Sequence, residues 1–103
     1  ALPDISWHGV DLWAPNWEDP LNRALAFTLT GIDELEPPLH VMLNMGADPL
    51  WFALPWVEGK RWCLAVDTWR EPGVIEPDDQ TPLHQDRLEV GARSVVVLEA
   101  RPQ

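Results

Sequence analysis

Three features of this 103-residue chain predict an all-β fold, an antiparallel β-sandwich of about six to eight short strands. Apolar residues recur at every second position in several segments, which is the period of a strand with one face buried. No long segment carries apolar residues at helical spacing between capping signals. Eleven prolines and six glycines punctuate the sequence at short intervals, as turns between short strands require. The length suits one domain, residues 1–103, able to bury about two thirds of its unfolded surface.

In chain order, residues 1–8 read Leu-Pro-Asp and then Ile-Ser-Trp-His, with Ile5 and Trp7 on the same side if extended. Pro3 lacks a backbone donor, so an edge strand is expected. Residues 9–22 gather Gly9, Pro15, Pro20 and three acids around Trp13 and Trp17, the composition of an irregular loop tethered by indoles. In residues 23–31, Leu25, Phe27 and Leu29 alternate with Ala26, Thr28 and Thr30, a half-buried strand. Residues 32–38 form an acidic, proline-bearing loop.

Residues 39–54 hold two apolar arms around Gly-Ala-Asp-Pro, the pattern of an antiparallel hairpin. Val41, Leu43 and Met45 in one arm, with Leu50, Phe52 and Leu54 in the other, are expected on the buried face. Pro55 ends the second arm, and residues 57–60 read as a turn. Residues 61–67 place Trp62, Leu64 and Val66 on one face of a further strand, with Cys63 and Ala65 on the other. Residues 68–85 are rich in turn formers and are expected to lack regular structure. Leu88 and Val90 suggest a short strand, and residues 93–100 a last one, apolar on both faces at Val95 to Leu98 and so covered from both sides.

Composition narrows the function. Seven Lys and Arg against 17 Asp and Glu give a formal charge of −10, and no basic run offers a phosphate backbone its counterions' place. Nucleic acid and anionic membrane are therefore excluded as expected partners. The single cysteine, Cys63, has no intramolecular partner, and neither a signal peptide nor a membrane span is visible, so a cytoplasmic location is expected. The start at Ala1 rather than Met suits a piece of a longer protein.

The search for reactive groups leads to no catalytic residue. Glu34/Glu36 and Asp78/Asp79 lie in loops, where adjacent acids are solvated charges, and Asp67 at a strand end reads as a turn cap. His8, His40 and His84 lack zinc-ligand spacing, Cys63 reads as a small packed residue, and no two glycines are spaced as Gly-x-Gly. No metal and no cofactor are expected.

The tryptophans are the remaining signal. Trp7 and Trp62 are in phase with apolar neighbours and are expected in the core. Trp13, Trp17, Trp56 and Trp69 fall in loops, where an indole serves either as a lid over the core or as a stacking platform. Trp51 is out of phase with Leu50 and Phe52, which sets it with His40, Met42, Asn44 and Ala53 on the hairpin face opposite the expected core. His40, Met42, Asn44 and Trp51 thereby become the candidate contact with another domain. Trp13, Trp17 and Trp69 are the candidates for stacking on a glucan.

Several segments together resemble the C-terminal domain of bacterial glycogen-debranching enzymes of the isoamylase type, in the α-amylase superfamily (glycoside hydrolase family 13). They are Asp-Ile-Ser-Trp-His-Gly (4–9), Pro-Asn-Trp-Glu-Asp (15–19) leading to Arg-Ala-Leu-Ala-Phe-Thr-Leu (23–29), and His-Val-Met-Leu-Asn-Met (40–45). Pro-Leu-Trp-Phe-Ala-Leu-Pro (49–55), Trp62 with Val-Asp-Thr (66–68), and Ala-Arg-Ser-Val-Val-Val-Leu (92–98) continue the pattern, whereas the loop at 69–85 carries no motif of it. The resemblance implies a β-sandwich that follows a catalytic (β/α)₈ barrel and packs on it, the barrel holding the acids that hydrolyse α-1,6 branch linkages. A barrel takes about 250 residues, so none of those acids is carried onto this chain. The expected function is that of a non-catalytic C-terminal domain stabilising its barrel, with the barrel of the same parent chain as partner. The alternative is a carbohydrate-binding module holding α-glucan on loop tryptophans.

Overall fold

A computed structural model describes residues 5–13, 23–29, 38–57, 59–70, 73–76 and 79–102. Seven strands run in the order β1 (Ile5–His8), β2 (Ala24–Leu29), β3 (Leu39–Asn44), β4 (Leu50–Ala53), β5 (Lys60–Asp67), β6 (Arg87–Val90) and β7 (Ser94–Pro102). They form a five-stranded antiparallel sheet in the order β1-β2-β3-β7-β5 and a two-stranded antiparallel sheet, β4-β6. No α-helix occurs among the described residues. The antiparallel β-sandwich read from the sequence is therefore the fold observed. The acidic loop at 32–37, Pro3, Trp17 and Asp78 lie outside the described residues.

The expected hairpin at 39–54 does not form. β3 has both edges occupied, by β2 and by β7, so β4 crosses to the other sheet and pairs with β6 instead. Residues 45–49 make this corner, and the Asn44 side chain holds it. Its Oδ1 accepts from Gly46 N–H at 3.0 Å, while its Nδ2 donates to the carbonyls of Asp48 (2.8 Å), Val90 and Gly91 (both 3.1 Å). One buried amide thus ties the end of β3 to the end of β6 across the two layers.

The core lies between the sheets. Met42, Val96, Leu98, Ala26 and Trp62 from the large sheet meet Phe52 and Val90 from the small one, with Leu54, which follows β4, closing the same cluster. The expected inward positions of Phe52, Leu54 and Trp62 hold. On β3 the phase is the reverse of that expected: His40, Met42 and Asn44 are buried, Val41 and Leu43 are half-buried on the opposite face, and Met45 is exposed. Trp7 likewise lies on the outer face with Ile5 rather than in the core.

β5 changes phase within its own length. The register slips between Leu64 and Val66, so Ala65 is a bulged residue, and Val66 comes opposite outward-facing Val97 while Asp67 turns inward opposite Val96. That bulge is why Val66 does not share a face with Trp62 and Leu64. The remaining edge of β5 is covered by the irregular segment that follows it. Asp67 and Ile75 N–H donate to Gly73 and Ala65 carbonyls, and Leu83 N–H donates to Trp62, so the edge has hydrogen-bond partners without a full strand.

Candidate functional site

Inside the sandwich, next to the apolar core, sits a chain of polar side chains running from β1 to β3. Trp13 N–H donates to His8 Nδ1 at 2.8 Å, which leaves the proton of neutral His8 on Nε2. That nitrogen lies 3.2 Å from both Ser6 Oγ and Thr28 Oγ1, and Thr28 Oγ1 lies 2.8 Å from His40 Nδ1. His40 Nε2 has no hydrogen-bond partner, and the His40 and Trp62 ring centroids lie 5.6 Å apart. Burial, reinforced by the nearby His8, pushes the His40 pKa down to about 3, and burial lowers that of His8. The histidines are structural and uncharged at neutral pH.

The four residues expected to form an interdomain contact divide unequally. His40, Met42 and Asn44 are each 0% exposed and have no surface to offer a partner. The physical reason is that the interior supplies what each needs: Thr28 for His40, the Phe52 and Leu98 cluster for Met42, and three carbonyls for Asn44. Trp51 alone is exposed, at 56%, on the outer face of the small sheet opposite Glu89. Of the stacking candidates, Trp13 is 62% and Trp69 66% exposed, so neither is a lid over the core, and Trp56 is also exposed. Trp17 lies outside the described residues. The structure does not gather these indoles into one row: Trp13 stands edge-on to His8 at 4.7 Å, whereas Trp69 lies against Gly91 at the β6–β7 turn.

The sequence reading missed the outer face of the five-stranded sheet. Trp7, Phe27, Val41 and Val97 stand in one cross-strand row, flanked by a row of Leu25, Leu43 and Val95 and by another of Ile5, Leu29 and Leu39. Trp7 and Phe27 touch, with ring centroids 5.4 Å apart. Trp7 retains 40% exposure and the β2, β3 and β7 members are half-buried. The signal was present in the sequence, in the strong alternation of β2 and β3, but those residues read as core because they are the more apolar set.

Two of the concave regions lined by described residues contain polar groups. A cleft of about 160 Å³ is lined by Trp56, Arg61, His84 and Asp86 among others, smaller than the roughly 300–1,000 Å³ of ordinary ligand pockets. A shallow depression of about 450 Å³ is lined by Ala47, Thr68, Trp69, Ala92, Arg93 and Ser94. Among the described residues no cluster of His, Cys, Asp or Glu is arranged to hold a metal ion. Cys63 is buried, and burial raises its thiol pKa, so it packs rather than reacts. Asp67 caps the turn after β5, as expected, accepting from Trp69 N–H at 3.0 Å. No helix among the described residues is long and apolar enough to cross a membrane.

No family model matches the chain. It is similar to Isoamylase 2, chloroplastic, of Oryza sativa subsp. japonica, at 31% identity over 112 aligned residues covering 97% of this chain. The match spans 14% of that protein. The chain is thus related to a small segment of an isoamylase along nearly its whole length.

Proposed function

We propose that this chain is the non-catalytic C-terminal domain of an α-1,6-glucosidase that debranches glycogen in the cytoplasm, and that it packs on and stabilises the catalytic (β/α)₈ barrel of the same polypeptide. The observation that carries this reading is the outer face of the five-stranded sheet. Three cross-strand rows of Leu, Val, Ile, Phe and Trp, the third of them ending at Glu99 on β7, form an apolar surface of the kind that marks a contact with another protein body. The small share of the related isoamylase that the chain covers supplies a candidate for that body, since the rest of such a polypeptide lies outside these residues. Interfaces between domains of one chain typically bury about 600–1,500 Å², a size that a four-strand face can provide.

The contact therefore moves from the expected His40, Met42 and Asn44 to Trp7, Phe27, Val41 and Val97 on the other side of the same strands. Hydroxyl-radical footprinting of the 103-residue chain alone and within its parent enzyme tests this. Trp7 and Phe27 should be oxidised several-fold more slowly in the parent. Equal labelling in both would refute the docking face.

A further inference from the structure

Trp69 is an exposed indole whose position is fixed from three directions. Its backbone sits in a turn closed by Asp67, whose Oδ1 accepts from Trp69 N–H, whose carbonyl accepts from Arg70 N–H at 3.1 Å, and whose Oδ2 pairs with Arg70 Nε at 3.1 Å. The preceding residue is stapled to β7: Thr68 N–H donates to Val95 O at 3.1 Å, and Val95 N–H donates to Thr68 Oγ1 at 2.9 Å. The ring itself rests on Gly91. A Cβ there would come within 2.5 Å of Trp69 Cδ2 and 2.7 Å of Cγ, so only glycine permits this approach. Gly91 is in turn held by Asn44, which donates to its carbonyl.

The surroundings of the ring are built for a shallow ligand. Ala47 and Ala92 keep the depression open, and Arg93 and Thr68 stand on its rim as exposed polar residues. Arg93 holds a left-handed backbone at φ 51°, uncommon for a residue with a side chain, and its N–H donates to Gly46 O at 3.1 Å. A preorganised indole beside a cation and a hydroxyl presents an apolar plane with hydrogen-bonding groups at its edge. A pyranose ring has the complementary form, with C–H groups on its face and hydroxyls on its perimeter. Polyanions are disfavoured by the net charge of −10.

We propose that Trp69, backed by Gly91, is a stacking platform for one glucose unit of a neutral glucan, with Arg93 and Thr68 bonding its hydroxyls. The platform is argued from the geometry alone; the choice of an α-linked glucan rests on the function proposed above. The site lies at the β6–β7 turn and shares no residue with the apolar docking rows.

The test is titration of the 103-residue chain with maltoheptaose and, separately, cellohexaose, followed by ¹H–¹⁵N indole signals. The Trp69 signal is assigned by its absence from Trp69→Phe. Maltoheptaose should shift that signal, Trp69→Ala should weaken binding about tenfold or more, and Gly91→Ala should weaken it by displacing the ring, whereas Trp51→Ala should leave it unchanged. Should Gly91→Ala fail to fold, Trp69→Ala carries the test, because its side chain is mostly exposed. Binding of both oligosaccharides at the Trp69 signal supports the platform and removes its support for an α-glucan parent. Binding that survives Trp69→Ala, or no shift of the Trp69 signal with either sugar, overturns the proposal while leaving the docking face to its own test.

Discussion

The two faces of strands β2, β3 and β7 differ in a way that reverses the usual order. The inner face carries Ala24, Ala26, Thr28, His40, Asn44 and Ser94 beside Met42, Val96 and Leu98, and is fully buried. The outer face carries Leu25, Phe27, Leu29, Leu39, Val41, Leu43, Val95 and Val97, with Glu99 and Arg101 towards the end of β7, and is only half-buried. Polar residues survive inside because most of their groups are matched: Thr28 sits between two histidines and Asn44 reaches three carbonyls, while His40 Nε2 is left without a partner. Small residues survive there because Phe52, Trp62 and Met42 fill the space. The more apolar face is left with water on it, and the removal of that water on docking is the driving force that the proposed interdomain contact would use.

This contrast can be broken or sharpened by substitution. The largest effect is expected at Phe52, fully buried between the layers, where Phe52→Ala should cost about 3–5 kcal/mol in a denaturant titration of the isolated chain. Asn44→Ala should cost about 2–4 kcal/mol, because it strands the buried carbonyl of Val90 and the half-buried one of Gly91 and frees the corner at residues 45–49. A loss below about 0.5 kcal/mol, the scatter of surface substitutions, would show that water replaces the amide.

The inner face should also make the fold sensitive to acid. His40 titrates at about 3 in the folded chain against an ordinary 6.5 when unfolded, so between those values the unfolded state binds the extra proton. Stability should therefore rise with pH across that window and fall on acidification, by about 2 kcal/mol between pH 6.5 and pH 5. His40→Met should flatten the dependence of the denaturation midpoint on pH. The smallest effect is expected on the outer face: Val41→Thr should change the stability of the isolated chain by about 0.5 kcal/mol. In the parent enzyme the same change should lower the unfolding temperature measurably, because there the hydroxyl would be buried against the barrel.

Much of the fold was legible along the chain. Alternation in residues 23–29 and 39–44 marked β2 and β3, the apolar run Val95 to Leu98 marked β7, Leu88 and Val90 marked β6, and the turn residues around Gly59 marked the start of β5. Pairing was less legible. The Gly-Ala-Asp-Pro segment reads as a hairpin turn, yet it is a corner between sheets, because a strand's edges can be claimed by partners more than fifty residues away, as β7 claims β3. The candidate site was half legible. Trp69 stood out as a loop indole, but Gly91 is 22 positions further on and nothing local links the two. The docking rows were visible as apolar positions and assigned to the wrong side.

Order and class were thus determined by the sequence alone: the period of two places successive side chains on opposite faces, and proline and glycine limit the strands between them. Only the tertiary structure decided which face is inside. Periodicity carries no sign, and the sign was set by tertiary partners: Val90 of the opposite layer accepts from Asn44, Thr28 on the neighbouring strand bonds His40, and the Trp7, Phe27 and Val41 side is left facing outward.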